Sequence, residues 1–361
     1  STNTRQGIPA GRRLRTTTSI SSRPPTTPNE TFCGPHSSAI DLPWHSQPLA
    51  ATRNSSGGET DTMTTKIAHG IWPALCTAFD DSAEGVDVER VRVLVRSLLD
   101  AGSQGFFVCG GTGEGRVMSV PERMNMAELV ADEVAGAVPL ILQVGGTTTE
   151  DAIELAQHAA HVQGIDAVAS VAPADRPNDL DAAIEHYAAI GGASNLPFYV
   201  YWLMGEADRR VTADGFLEAM QQVPNFTGIK FTDHNLYLFG QLIDRSKGSI
   251  NAISGPDEMA LPAMVMGAEA AIGTTYNIMP KLYLQMRAAF DAGQLDEARQ
   301  CQRQANQVIR ILIEHGVLAS VKAILGWRGT PVGPPRLVEP LSSAADKQLR
   351  ADIEALEFEV A

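Results

Sequence analysis

The sequence predicts a (β/α)8 barrel (TIM barrel), an α/β fold, followed by a C-terminal helical extension. Eight short apolar segments rich in β-forming residues alternate with amphipathic segments whose apolar residues recur three and four apart. Such apolar runs are typical of buried parallel strands, and eight successive β-α units close most naturally into a barrel. Further helical patterns follow the eighth unit. A doubly wound open sheet is the competing arrangement.

The predicted strands are short runs bounded by Gly, Pro or Asp. In order they are Ile71–Phe79, Gly105–Cys109, Leu140–Val144, Ala167–Val171, Phe198–Trp202, Gly228–Thr232, Ile250–Ser254 and Ala270–Thr274. The predicted helices between and after them are Val86–Ala101, Pro121–Ala135, Glu150–Val162, Leu180–Ile190, Thr212–Gln222, Asn235–Arg245, Glu258–Met266, Lys281–Phe290, Leu295–Glu314, Val317–Trp327 and Lys347–Phe358. Asp87 stands where a helix N-cap is expected.

The first 62 residues differ from the rest of the chain in composition. They contain six Arg, no Lys and four acidic residues, and they are rich in Ser, Thr, Pro, Gly and Asn without apolar periodicity. Because such a segment buries too little apolar surface to offset its conformational entropy, we expect 1–62 to be a disordered extension. An organellar transit peptide and an upstream extension of the reading frame, with Met63 as the start, are its two interpretations. The barrel domain is then 63–361, with 294–361 as a helical appendage.

The charge and the cysteines restrict the possible partners. The chain has 28 basic and 42 acidic side chains, a net charge of −14, which argues against a nucleic acid or an anionic membrane as partner. No apolar run approaches the roughly 18 residues that a membrane span needs. The four cysteines are far apart and form no C-x-x-C pair, so we expect no zinc site, no disulfide framework and a cytoplasmic location. No metal site is predicted.

Lysine is scarce, and one lysine falls inside a predicted strand. Of six lysines in the chain, only Lys230 lies in a strand-like run, between Ile229 and Phe231. Because strand side chains alternate, Lys230 shares a face with Thr232, and the apolar pair faces the helices. Burial favours the neutral amine, which attacks a carbonyl to form a Schiff base. A structural lysine paired with an interior carboxylate is the alternative, whereas Lys322 lies in a helical pattern from which its amine can reach water.

Polar and glycine-rich segments follow several predicted strands, where barrels of this kind place their active sites. Tyr201, near the end of the fifth strand, offers a phenol for proton transfer, although strand aromatics are usually core residues. The 110–115 segment, GGTGEG, lets backbone amides approach an anion, or forms a plain tight turn. Asp257 and Glu258 follow the seventh strand, where paired acids bind sugar hydroxyls or, more commonly, cap a helix.

Together these segments resemble the family of pyruvate-dependent class I aldolases that contains N-acetylneuraminate lyase and dihydrodipicolinate synthase. The resemblance runs from Ile67 to Phe358, with its motifs in order at the ends of successive predicted strands. The motifs are GGTGEG at 110–115, VYW at 200–202, GIKFTD at 228–233, GPDE at 255–258 and IGTTYNIM at 272–279.

The resemblance implies a role for each matching residue. It implies that Lys230 forms the Schiff base with the keto carbon of pyruvate, that Tyr201 relays protons during carbon–carbon cleavage, and that the amides of Gly111 and Thr112 hold the pyruvate carboxylate. The lyase branch implies further substrate contacts at Thr232, Gly255, Asp257, Glu258 and Thr274. It also implies pyruvate and a sugar aldehyde as small-molecule partners, no cofactor, and a homotetramer.

The chain is more similar to the lyase branch than to the synthase branch. A synthase has a tyrosine after the fourth strand, which 172–175 lack, and an arginine where Glu206 stands. The lyase pattern in turn has Ser or Thr where Gly111 stands, Asn-x-Pro near Trp202, and an aromatic residue where Pro256 stands. These departures are compatible with Schiff-base chemistry and leave the aldehyde partner open.

The sequence therefore predicts a lyase that cleaves N-acetylneuraminate, or a related 2-keto-3-deoxy sugar acid, to pyruvate and N-acetylmannosamine or another aldehyde. Within the same chemistry, the alternatives are a dihydrodipicolinate synthase and a 2-keto-3-deoxy sugar-acid aldolase or dehydratase. From a different class, the alternative is a keto-acid-binding barrel without catalysis, to which the departures at Gly111 and Trp202 point.

Overall fold

The computed structural model describes residues 66–176, 179–203 and 211–358. These residues belong to the unit Thr60–Ala361. The predicted disordered extension at 1–62 lies outside the described residues and stays a prediction, as does the domain boundary at 63.

Eight parallel strands form one sheet in the order β1-β8-β7-β6-β5-β4-β3-β2. The strands are β1 Gly70–Pro73, β2 Phe106–Val108, β3 Leu140–Gln143, β4 Ala167–Ser170, β5 Phe198–Leu203, β6 Phe226–Thr232, β7 Asn251–Ser254 and β8 Ala270–Gly273. A parallel bridge between Ala74 and Phe107 joins the β1 and β2 ends, so the barrel is nearly closed. The predicted (β/α)8 barrel is confirmed, and the open sheet is excluded.

The alternation of side chains along each strand divides the core into two parts. One apolar cluster fills the barrel and includes Phe107, Tyr199 and Tyr201. A larger cluster lies between the strands and the helices and includes Ile229 and Phe231. Because neighbouring strand residues face opposite sides of the sheet, β6 sends its apolar pair toward the helices.

Eleven helices occur among the described residues. They are α1 Val88–Asp100, α2 Val120–Val134, α3 Thr149–Ala159, α4 Leu180–Ala193, α5 Ala213–Met220, α6 Leu236–Ser246, α7 Ala260–Val265, α8 Pro280–Asp291, α9 Leu295–His315, α10 Val317–Trp327 and α11 Ser343–Glu354. The predicted cap is present, since the Asp87 carboxylate accepts a hydrogen bond from the Arg90 amide at 3.0 Å.

Among the elements whose bounds differ from the predicted ones, three show a clear local reason. Strand β1 ends at Pro73 instead of Phe79. The backbone after it forms hydrogen bonds outside the strand, since the Cys76 amide donates to Asn277 Oδ1 at 3.1 Å. Helix α7 is short because Asp257–Met259 forms a 3₁₀ turn before it. Helix α11 starts at Ser343, four residues early, because the Ser342 hydroxyl caps its first turn.

The helices after β8 close the barrel and add a layer beside it. Helix α9 packs against α8, α10 and α11. Gln302 on α9 accepts a hydrogen bond from the Leu261 amide at 2.8 Å and donates to the Asp257 carbonyl at 3.2 Å. The appendage is thereby attached to the segment that follows β7, on the side of the barrel where the candidate site lies. None of the helices in the described ranges has the length and apolar character needed to span a bilayer.

Candidate active site

A pocket of about 420 Å³ lies at the carboxyl ends of the strands. Thr112, Tyr201 and Thr274 line it, and they come from the segments after β2, from β5 and from the segment after β8. Three parts of the chain that are distant in sequence therefore converge on one cavity, as expected for a barrel enzyme.

Lys230 lies in the barrel interior beside this pocket. Its side chain is only 3% exposed. Its Nζ lies 3.6 Å from the centroid of the Tyr201 ring and 5.0 Å from that of Phe107, and it donates a hydrogen bond to Thr232 Oγ1 at 3.3 Å. Lys230 forms no salt bridge within the described ranges, although its charge acts on the buried carboxyl of Asp257, where it opposes the increase in pKa that burial causes. The predicted inward orientation is confirmed.

Tyr201 is the direct neighbour of Lys230 across the sheet. The register of β5 and β6 pairs the two residues. The Tyr201 ring meets Phe107 edge to face at 5.4 Å, which fixes the ring over the amine. Tyr199, two residues earlier on the same face, is fully buried, and its hydroxyl donates to Asn251 Oδ1 at 2.9 Å. Burial raises the pKa of that phenol, so Tyr201 is the better placed of the two for proton transfer.

The glycine-rich segment 110–115 turns sharply after β2. Cys109 and Glu114 both have positive φ, 58° and 57°, in the left-handed region that bulky residues avoid. The glycines differ in the space around them. A Cβ on Gly115 would lie 2.0 Å from the Cys109 carbonyl oxygen, whereas a Cβ on Gly111 would meet nothing within 4 Å. Gly115 is therefore required by the turn, and Gly111 leaves a side chain's worth of open space beside the pocket.

The segments after β2 and β8 are linked by a hydroxyl pair. Thr112 Oγ1 and Thr274 Oγ1 lie 2.6 Å apart, within hydrogen-bond distance. The two predicted substrate-binding threonines therefore form one polar edge of the pocket, next to the open space at Gly111.

The predicted residues after β7 lie in different surroundings. A Cβ on Gly255 would lie 1.8 Å from Thr232 Oγ1, so only glycine fits beside that hydroxyl. The Asp257 carboxylate accepts hydrogen bonds from the Thr275 amide at 2.7 Å and its hydroxyl at 2.6 Å. Glu258 Oε1 lies 2.8 Å from His234 Nε2, within hydrogen-bond distance. Both acids are thus engaged by protein groups, and their role as substrate ligands stays a prediction.

Burial affects the ionisation of Asp257. Loss of hydration disfavours its charged form and raises the pKa of this carboxyl from 3.8 to about 6, against the effect of the two Thr275 hydrogen bonds. This carboxyl can therefore exchange a proton in a range where exposed aspartates are already ionised.

The pocket also contains residues that the sequence analysis did not select. Arg116 lines it just after the glycine-rich segment, in the loop that follows β2. Four apolar residues of the C-terminal appendage, Val317, Leu318, Leu337 and Val338, form another part of the wall. Their helical and coil pattern carries no sign of a pocket, because only the packing of the appendage brings them there.

The expectation for Lys322 is wrong. Its amine does not reach water, since the residue is 4% exposed and forms a 2.5 Å ion pair with Glu114, which is fully buried. The same carboxylate accepts hydrogen bonds from the amides of Arg336 and Leu337 at 2.6 and 2.7 Å. A helix periodicity does not distinguish a surface lysine from one under a returning chain segment. Glu114 thus attaches the appendage to the glycine-rich segment.

Some sequence observations fall on residues that the structure does not describe. Glu206, where the synthase branch has an arginine, lies outside the described residues. The departure at Trp202 lies inside them, and its indole donates to Asp233 Oδ2 at 3.3 Å.

Comparisons with known proteins agree with this geometry. The model of the dihydrodipicolinate synthetase family matches residues 67–356. An N-acetylneuraminate lyase from Rhizobium meliloti is 34% identical over 287 residues, which are 80% of this chain and 94% of the relative. Among solved structures, the N-acetylneuraminate lyase from Aliivibrio salmonicida superimposes with a TM-score of 0.77 at 28% identity over 82% of this chain and 99% of its own. A dihydrodipicolinate synthase from Bacillus anthracis gives 0.75 at 26% identity over 81% and 100%. The barrel, the convergent strand ends and these matches together show that the chain belongs to the dihydrodipicolinate synthetase family and is an aldolase-type lyase.

Proposed function

We propose that this chain is a Schiff-base aldolase that cleaves N-acetylneuraminate, or a related 2-keto-3-deoxy sugar acid, to pyruvate and an aldehyde. The observation that carries the proposal is the surroundings of Lys230. A buried amine that forms no salt bridge in the described structure, next to a phenol and at the edge of a pocket, suits nucleophilic attack on a ketone. The similarity to N-acetylneuraminate lyases supports this substrate class.

The proposed reaction begins with the amine of Lys230. It attacks the C2 ketone of the substrate, water leaves, and a protonated imine forms. Tyr201 relays the proton of the C4 hydroxyl, the C3–C4 bond breaks, and its electron pair moves to the imine nitrogen as the aldehyde departs. The resulting enamine is protonated at C3, and water hydrolyses the imine to release pyruvate and the free amine. The amides of Gly111 and Thr112 are the proposed ligands of the pyruvate carboxylate, because backbone amides in a turn favour an anion.

Borohydride trapping tests this proposal. The full chain is incubated with pyruvate and sodium borohydride, and intact mass and peptide mapping locate the adduct. We expect a reduced pyruvyl group on Lys230 in the wild-type protein and none in Lys230→Arg, which also loses turnover. Lys281→Arg, a change at an exposed lysine, is the matched control and should label like the wild type. Turnover by Lys230→Arg, or labelling of a different lysine, would overturn the assignment.

The aldehyde partner is identified in the condensation direction. Pyruvate is offered with N-acetylmannosamine and with other aldehydes, and product formation is followed. Condensation with N-acetylmannosamine supports the neuraminate lyase, and condensation only with aspartate semialdehyde supports a synthase. An adduct on Lys230 without any condensation or dehydration supports the non-catalytic binding barrel.

The family resemblance also supports a homotetramer in the cytoplasm as the working form. Sedimentation velocity of the full chain tests the first part, since a monomer at micromolar concentration contradicts it. Fractionation of the source cells tests the second.

A further inference from the structure

Arg116 is the charged residue among those that line the pocket in the described structure. It lies in the 3₁₀ turn Gly115–Val117, directly after the glycine-rich segment, and its side chain is exposed. Its Cβ lies 3.7 Å from where a Cβ on Gly146 would be, next to the segment that follows β3. The pocket therefore has a cation in its lining that is distinct from Lys230, which lies beside it.

Arg116 has no protein partner in the ranges that the structure describes, where it forms neither an ion pair nor a hydrogen bond. Other arginines of the barrel are engaged, as Arg90 is by Asp81 at 2.7 Å and Arg336 by Glu122 at 2.7 Å. In a chain with 42 acidic side chains, an arginine at a pocket without a carboxylate beside it is available for an anion from solution.

The other side chains that line the pocket carry no charge. Thr112, Gln143, Tyr201 and Thr274 supply hydroxyl and amide groups, and the remaining lining residues are glycines, a cysteine and apolar residues. The two acids that were expected to bind sugar hydroxyls are engaged elsewhere, by Thr275 and by His234. Arg116 is thus the lining residue of this pocket that can bind an anion through its charge.

We infer that Arg116 binds an anionic group at the end of the substrate remote from the keto acid. Within the proposed function, this selects a related 2-keto-3-deoxy sugar acid whose aldehyde partner carries a carboxylate or a phosphate, and not N-acetylneuraminate, whose aldehyde is neutral. This inference rests on the proposed aldolase function, in which the pyruvate carboxylate occupies the amides of Gly111 and Thr112. The anion at Arg116 is then the second of the substrate. A guanidinium binds either group with two parallel hydrogen bonds, which makes arginine suited to both.

Three aldehydes of equal carbon number test the inference. Glyceraldehyde ends in a hydroxyl, tartronate semialdehyde in a carboxylate, and glyceraldehyde 3-phosphate in a phosphate. With saturating pyruvate, we expect kcat/KM of the wild type to be at least about tenfold higher for an anionic aldehyde than for glyceraldehyde, equivalent to about 1.4 kcal/mol. The better of the two anionic compounds distinguishes a carboxylate substrate from a phosphate substrate.

Variants of Arg116 connect this preference to the side chain. In Arg116→Gln the ratio of anionic to neutral kcat/KM should fall to near one, mainly through a higher KM for the anionic aldehyde. Arg116→Lys should keep part of the ratio because the charge remains. Arg310→Gln removes an exposed arginine of α9 that is not among the pocket-lining residues, and it should keep the wild-type ratio.

Borohydride trapping with pyruvate separates the possible failures. A wild-type adduct on Lys230 together with equal use of all three aldehydes overturns the inference and leaves the aldolase intact. If Arg116→Gln weakens the trapping of pyruvate itself, the arginine binds the pyruvate carboxylate and the inference is wrong. Absence of the adduct in the wild type contradicts the proposed function and the inference with it.

Discussion

The open space beside Gly111 allows the pocket to be changed by one side chain. The backbone there does not require glycine, since a Cβ would meet nothing within 4 Å. The neighbouring Thr112 and Thr274 hydroxyls are already in contact at 2.6 Å, so a hydroxyl at 111 would extend an existing polar edge. The glycine that replaces the family's Ser or Thr at this position therefore removes a hydroxyl group, and the backbone does not require it.

We expect Gly111→Ser to fold with a free energy of unfolding within about 0.5 kcal/mol of the wild type and to raise kcat for aldol cleavage. The added hydroxyl would lie where the pyruvate carboxylate is proposed to bind, and it can donate a hydrogen bond. Urea unfolding and steady-state kinetics measure the two effects.

Gly115→Ala is the contrasting variant. Its Cβ would lie 2.0 Å from the Cys109 carbonyl oxygen, and such overpacking typically costs about 1–3 kcal/mol. Equal stabilities for the Gly111→Ser and Gly115→Ala variants would contradict the difference in space around the two glycines.

Single residues were predictable where strand geometry decided their surroundings. Lys230 was found because alternation along β6 sets Ile229 and Phe231 on the helix side. The sequence does not identify Arg116. Its possible role depends on having no partner among the described residues and on lining residues that come from remote segments. The helix pattern places Lys322 at the surface, because periodicity does not show which chain segment covers a residue.

At the level of elements, the order and type of strands and helices followed from hydrophobic periodicity. Their ends followed less well, because side-chain hydrogen bonds decide them, as at the Ser342 cap of α11. The contribution of the appendage to the pocket was not predictable either. It depends on the buried Glu114–Lys322 ion pair, which joins α10 to the segment after β2.

This ion pair gives a prediction about the coupling of two elements. Lys322→Met should lower the free energy of unfolding by about 3–5 kcal/mol, because it leaves the carboxylate of Glu114 buried without its cation. Glu114→Gln should also be destabilising, while its amide oxygen can still accept from the Arg336 and Leu337 amides. The double variant should be less destabilised than the sum of the single changes, since no buried charge remains unpaired.

Chemical unfolding of the four proteins at one concentration measures this coupling. We also expect the single variants to raise the KM for the aldehyde more than that for pyruvate, because Leu337 and Val338 line the pocket. Strictly additive free energies would contradict a direct interaction between the two charges.

At the scale of the whole molecule, two buried groups affect stability over the same pH range in opposite directions. Burial raises the pKa of Asp257 from 3.8 to about 6 and lowers that of His186 from 6.5 to about 4. His186 is held between Thr149 Oγ1 at 2.8 Å and Ser170 Oγ at 3.0 Å, so it connects α3, β4 and α4. Asp257 serves a corresponding role at Thr275 after β8.

The signs of the two contributions follow from proton binding. Between pH 4 and 6 the folded protein holds the Asp257 proton more tightly than the unfolded chain does, so this group makes stability fall as the pH rises. Between pH 4 and 6.5 the unfolded chain protonates His186 more readily than the folded protein does, so this group makes stability rise with pH. Each of these pKa shifts corresponds to on the order of 3 kcal/mol, and in the wild type the two contributions largely cancel.

Removing one group should expose the effect of the other. We expect the free energy of unfolding of Asp257→Asn to rise from pH 4 to 6.5 more steeply than that of the wild type, because only the histidine contribution remains. His186→Gln should instead rise less steeply or fall, because the aspartate contribution is then unopposed. Urea unfolding at half-unit pH intervals and one protein concentration measures both slopes. The surface carboxylates are common to all three proteins, so their contribution to the pH dependence cancels when the curves are compared. Three parallel curves would show that neither group titrates differently in the folded and unfolded chains.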